Sequence, residues 1–222
     1  MADRELVRIG SVSAMLGAVI LVVTNLLHTR GFEFGDTADH FAAVADDSLY
    51  LGDHIGLLVG ALMMSAGLIA LSRSLRDAGG AAWAFLGLAA AIVGAGLMVV
   101  LIAIDGIALT VIADQLADDP SLLPMVGIFE EIGLGLFAML IFFTFGITYI
   151  LYGLAVSLSD TYPKWLGWAA LALGIAGAAI GVVQAYEGPS DTLTNILFPI
   201  VSVLLTLWTG TMGYLMWKKS AA

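Results

Sequence analysis

Six long apolar runs partition this 222-residue chain, and its charges sort across them by sign. Runs of 18 or more apolar residues read as membrane-spanning helices, because roughly 20 helical residues cross the ~30 Å hydrocarbon core of a bilayer. The expected spans are about 7–27, 51–71, 82–113, 123–158, 165–186 and 192–217. Threaded alternately, they leave seven of the eight Lys/Arg on one side: Arg4, Arg8, Arg73, Arg76, Lys164, Lys218 and Lys219. Arg30 falls on the other. Of the 18 Asp and Glu, Asp3, Glu5, Asp77 and Asp160 share the basic side, and the remaining 14 lie opposite. Short basic loops face the cytoplasm. The expectation is therefore an all-α, polytopic membrane helix bundle, one six-helix domain over 1–222, in the inner (cytoplasmic) membrane with both termini cytoplasmic.

Composition agrees. Hydrophobic residues make up 60% and charged residues 12%, against roughly 45–50% and about 25% in soluble domains. The N-terminal MADRELVRIG reads as the start of a first span and not as a signal peptide, since the apolar run has full spanning length and no A-x-A-type cleavage site. The absence of cysteine excludes disulfides, thiolate metal sites and a Cys nucleophile. The net charge of −10 sits on the outer loops, which excludes nucleic acid as a partner and leaves the lipid bilayer, small molecules or cations, and a homo-oligomer or larger membrane complex. No Lys lies inside a span, so a retinal Schiff base is excluded. P-loop, dinucleotide and nucleophile-elbow motifs are missing, as are Arg-rich voltage-sensor spacing and the broken helices with midplane charges that mark transporters.

Local patterns add detail. Between the first two spans, TADHFAAVADDSL places Phe41, Val44 and Ala45 at helical spacing, which predicts a short amphipathic helix on the outer surface. The third and fourth runs exceed a span and are expected to protrude outward, carrying Asp105, Glu130 and Glu131 in their excess length. LGLAAAIVG (86–94) resembles LGWAALALG (166–174), a weak internal repeat. Gly177 and Gly181 have the small-xxx-small spacing of closely packed membrane helices. Trp83, Trp165, Trp168 and Trp217 read as interfacial anchors at the inner ends, whereas Trp208 falls deeper and is assigned to the bundle or to lipid.

Ionisable groups at helix ends within a membrane protein are the leading functional candidates. Counting residues along each run at 1.5 Å rise places His28, His54, Asp105 and Glu187 at one level, ~27–35 Å from the inner ends, with Glu130 and Glu131 about two turns higher. Asn25, Gln184 and Asn195 continue this polar level. Neighbours on a helix point about 100° apart, so only one of Asp53 and His54, and one of Glu130 and Glu131, is expected to face the bundle. Asp53 suits a helix N-terminus, where the dipole favours a carboxylate, and His54 is assigned to the bundle. Asp105, in LIAIDGIAL, needs a cation, a His partner, a proton or an aqueous cavity.

The leading reading is an outward-facing His/carboxylate pocket built from His54, Asp105, Glu130, Glu131, His28 and Glu187, binding, sensing or transporting a small molecule or ion. A second reading is a metal-dependent membrane enzyme, with a divalent metal held by His28, His54, Asp105 and Glu131, ligand types that suit Zn, Mn or Fe, although no H-E-x-x-H spacing is present. The pair His28 and His54 is the one arrangement that would allow bis-His haem; a single such pair weighs against haem. Other readings are a non-catalytic accessory subunit, and a set of polar caps where helices meet water.

The basic N-terminus followed by an apolar run, the segment GDTADHFAAVADDSLYLGDHIGLLVGALMM and the later YPKWLGWAALALGIAG together resemble a bacterial and archaeal family of six-helix integral membrane proteins without an assigned activity. The resemblance covers most of the chain. It implies the six-helix fold and carries no catalytic residues.

Overall fold

A hydrocarbon environment forces the backbone to satisfy its own hydrogen bonds, and a chain this apolar does so almost entirely as helix. The computed structural model describes residues 2–28 and 36–221, and among them the only regular structure is helical. Seven helices follow in order: α1 (Ala2–Leu27), α2 (Thr37–Asp46), α3 (Tyr50–Ser74), α4 (Ala81–Asp118), α5 (Pro120–Ser157), α6 (Lys164–Glu187) and α7 (Asp191–Ser220). All except α2 have the length and apolar composition to cross a membrane, the build of a multi-pass membrane protein. The α4 and α5 helices each run 38 residues, or ~57 Å at 1.5 Å per residue. Both extend further at the end where they meet each other than the expected spans do, α4 to Asp118 and α5 from Pro120, and agree to within one residue at the other end.

The six long helices close a ring in chain order: each packs on the next, and α7 returns to α1. Two antiparallel pairs are drawn especially close, α1 with α3 and α5 with α6. Glycine at seven-residue spacing makes this possible: Gly10 and Gly17 on α1, Gly60 and Gly67 on α3, Gly146 and Gly153 on α5, Gly167, Gly174 and Gly181 on α6. A side chain at any of them would collide with the facing helix. A Cβ on Gly17 would lie 2.8 Å from the Gly60 carbonyl oxygen, and one on Gly174 2.7 Å from the Ile150 nitrogen. A seven-residue repeat keeps one face turned toward a gently supercoiled neighbour, and close backbone approach is how helices gain packing energy in lipid. The internal repeat has a packing counterpart here. Gly87 and Gly94 of α4 and the equivalent Gly167 and Gly174 of α6 all face α5 from its two sides.

The seven described Lys/Arg gather at one end of the bundle. Arg73 and Arg76 both bond Asp3, with Arg76 Nη1 2.8 Å from Oδ2. Arg4 donates to the Ser220 carbonyl at 2.7 Å, joining the beginning of α1 to the end of α7. Arg8 lies over the Trp217 ring. Arg30, the exception in the sorting, lies outside the described residues. Above this end the core is dense, filled by Leu71, Leu75, Tyr152, Leu205, Met212 and Met216. Polar tips within it are all used: Tyr152 donates to the Leu68 carbonyl, Tyr149 pairs with Thr209, and Trp208 donates to the Leu166 carbonyl. Trp208 is therefore part of the core, while Trp83, Trp165 and Trp168 stay exposed. Tyr162 in the α5–α6 turn bonds Ser74, and burial pushes its hydroxyl up from the ordinary range.

At the opposite end, α2 is capped by Asp36, whose carboxylate accepts from the Asp39 amide. Its Phe41 and Val44 do not form a free apolar face. They are buried against Tyr50, Leu109, Ala113 and Val126, so α2 braces the far ends of α4 and α5. Ala45, the third residue of the expected apolar stripe, is exposed. Asp119 opens α5: its carboxylate accepts from the Ser121 amide and hydroxyl, which hold it below the usual carboxylate range.

Three stretches depart from α-helix geometry: Ile102–Ala108 in α4, Ile141–Ile147 in α5 and Asp191–Leu197 at the start of α7 are π-helical. The sequence reading expected uninterrupted α-helix here. In α5, the Thr148 hydroxyl donates to the Phe143 carbonyl five residues back, supporting the wider turn. Such turns are uncommon and concentrate at functional sites.

Candidate functional site

Between the two glycine-zipped pairs the ring encloses a cavity of about 300 Å³. It begins at the acidic end and reaches past the middle of the bundle to a floor at Leu68, Tyr149 and Thr206. Its body is apolar, walled by residues such as Leu57, Met64, Met98, Phe137, Leu140 and Phe198. Its mouth is polar. Each π-helical stretch contributes to the lining: Asp105 from α4, Thr144 from α5, Thr194 and Asn195 from α7. A π turn adds residues to a turn and so redirects side chains that a continuous α-helix would aim elsewhere.

The centre of the mouth is His54, 1% exposed. Its Nδ1 lies 2.7 Å from the Tyr50 carbonyl one turn earlier, and its Nε2 lies 3.3 Å from Asp105 Oδ2. The Tyr50 hydroxyl donates to Asp105 Oδ1 at 3.2 Å. Both nitrogens of His54 thus face oxygen acceptors, and the His54–Asp105 pair must hold a proton or a cation between them. Gly106 makes the approach possible, because a Cβ there would lie 2.6 Å from His54 Cβ.

On the other flank of α3, His28 Nδ1 meets Asp53 Oδ2 at 2.7 Å, and the His28 and His54 rings lie 4.9 Å apart. Asp53 is 6% exposed, and its second oxygen, Oδ1, is buried without a partner among the described residues. The expectation that only one of Asp53 and His54 turns inward needs correction, since both are buried. The ring explains it. α3 has α1 on one side and α4 on the other, so two side chains about 100° apart each meet a neighbouring helix.

A third polar group braces the mouth from above. Glu130 of α5 accepts from the Thr37 hydroxyl at 2.6 Å and contacts His40 Nδ1 at 2.6 Å. Thr37 and His40 are three residues apart on α2 and share one face. Glu131 is exposed and also borders the cavity. Of each adjacent pair at this end, Glu130 is the one engaged with other helices.

The structure therefore brings together His28, His54 and Asp105, adds Asp53, and places Glu130 and Glu131 around the same opening. Glu187 is exposed at the end of α6 and is not among the residues lining the cavity. Asn25 and Asn195 line it; Gln184 is buried elsewhere, with both side-chain polar atoms unpartnered among the described residues. Tyr50, Thr37 and His40 were missed in the sequence reading. Tyr50 precedes His54 by one helical turn, and His40 is one of three histidines in the chain, so spacing carried a signal for both. No family model, no curated protein and no solved structure matches this chain.

Proposed function

We propose that the protein binds an amphipathic small molecule with a cationic head, taken into the bundle from the acidic face. The reading places both termini in the cytoplasm, on the strength of the basic end, and the His-bearing mouth outward. The carrying observation is the shape and chemistry of the cavity: a polar mouth over an apolar body of about 300 Å³, within the range of small-molecule pockets. Charge supports the choice of head group. Four carboxylates, Asp53, Asp105, Glu130 and Glu131, share the mouth region with three histidines, and no Lys or Arg is near them among the described residues. Even with every histidine protonated, this set stays negative. The apolar chain would lie along Leu57, Met98 and Phe137, and the head would meet Asp105 and Glu131. The dense core below the floor favours capture or sensing over passage straight through.

Protein reconstituted in nanodiscs and titrated with a fluorescent alkylammonium tests this. Saturable binding is expected, with alkyl sulfate of the same chain length at least tenfold weaker. Asp105→Asn should cost at least tenfold in alkylammonium affinity, equivalent to about 1.4 kcal/mol. Equal affinity for the two head groups, or no effect of Asp105→Asn in a folded variant, would overturn the reading.

A further inference from the structure

We infer that His28, Asp53 and His54 form a binding site for a first-row divalent cation, at the top of α1 and the start of α3. One nitrogen from each histidine and one Asp53 oxygen lie within 4.8 Å of one another. A small inward adjustment brings them to the ~3–3.5 Å ligand spacing that metal bonds of about 2.0–2.2 Å require. The set differs from the one read in the sequence, because Asp53, in place of Asp105 and Glu131, is the carboxylate grouped with both rings.

Three further observations point to a cation. Asp53 Oδ1 is buried and unpartnered among the described residues, and an orphaned carboxylate oxygen is costly unless something positive reaches it. His54 is anchored through Nδ1 to the Tyr50 carbonyl, the second-shell tie that fixes the tautomer and orientation of metal-bound histidines. Asp105 stands 3.3 Å from the other nitrogen, close enough to add a fourth ligand or to steady a bound water. Two imidazoles and a carboxylate, with no thiolate in the chain, select a borderline ion such as zinc over calcium or magnesium. His28 and His54 also line the cavity, so a remaining coordination position would open into it, as in sites that keep one position for water or ligand.

The inference is independent of the amphiphile reading and fails separately from it. The test uses the full chain in nanodiscs, stripped with chelator and titrated with Zn²⁺ by calorimetry, with Mg²⁺ as comparison. One zinc per chain is expected, with Mg²⁺ not competing. Asp53→Asn and His28→Gln should each weaken zinc at least tenfold while the metal-free Tm stays near wild type, and Glu187→Gln should bind as wild type does. X-ray absorption of the wild-type zinc complex gives a reading that needs no variant, and should show two imidazoles. No saturable zinc site, binding unchanged in Asp53→Asn, or a spectrum without a pair of imidazoles would overturn the assignment.

Discussion

The glycine seams and the cavity mouth both rest on close approach between helices, and they achieve it by opposite means. At the seams side chains are removed: glycines every seven residues let the backbones of α1 and α3, and of α5 and α6, come into direct contact. At the mouth side chains are long, ionisable and paired, and one of the three breaks in α-helix geometry carries Asp105 to it. Around the seam glycines the facing atoms are backbone or apolar side chain, whereas the mouth holds the three histidines. Cohesion and chemistry are thus assigned to different contacts on the same helices, so a change at one should be felt weakly at the other.

The largest effect expected is at a seam. Gly153→Leu pushes a side chain into the Leu171 backbone, 2.5 Å from where its Cβ would sit. Overpacking costs about 1–3 kcal/mol even where neighbours yield, and backbone yields little, so loss of folded protein in size-exclusion and thermal-melt assays is expected. Gly96→Ala, with nothing within 4 Å of its Cβ, should instead hold or raise the Tm, gaining about 0.5–1 kcal/mol from helix propensity. If both glycines tolerate a side chain equally, the seam account is wrong. Asp105→Asn sharpens the other side of the comparison. Its tenfold or greater loss of alkylammonium binding should come with a Tm within a few degrees of wild type.

An intermediate effect is expected where α2 braces the mouth. His40→Ala removes one of the two side chains holding Glu130, and hydrogen bonds to charged groups contribute about 1.5–3 kcal/mol. Faster proteolysis within residues 37–46 should result, without a change in the seams, which a Tm near wild type would report. The smallest effect belongs to Asp119. Its carboxyl is held below the ordinary range by Ser121, so its cap is complete above the unfolded carboxylate value, about pH 4, and is lost only as pH falls through the lowered folded value. Helicity followed by circular dichroism should therefore be flat from neutral pH to about 5. The slight loss below that range should shrink in Asp119→Ala.

Much of this architecture was legible because bilayer constraints are one-dimensional. Span length, apolar content and the side on which Arg73 or Lys218 falls need no knowledge of which helices touch. Depth along the axis was legible for the same reason, and it placed His28, His54 and Asp105 together. Azimuth was not. Asp53 was assigned to a helix-end role because an isolated helix has one inside face, whereas α3 in a ring has neighbours on two sides. The α2 helix was read as amphipathic, but what its Phe41 and Val44 would cover depends on how far α4 and α5 extend. The π-helical stretches within α4 and α5 left no trace in the pattern, since IAIDGIA and IFFTFGI each carry a single polar side chain in an apolar run and give no periodicity to interrupt.

Those stretches also restrict how the chain can change in length. A π turn fits one extra residue between α-helical flanks that keep their phase, so losing one residue from 102–108 would let α4 relax into regular helix without rotating what lies beyond it. Leu109 and Ala113 would keep the α2 contact, while Asp105, inside the turn, would be aimed away from His54. Among relatives of this protein, a single-residue gap within 102–108 should mark chains that keep the bundle and have given up the site, which makes the length of this turn a simpler sorting character than the identity of any residue in it.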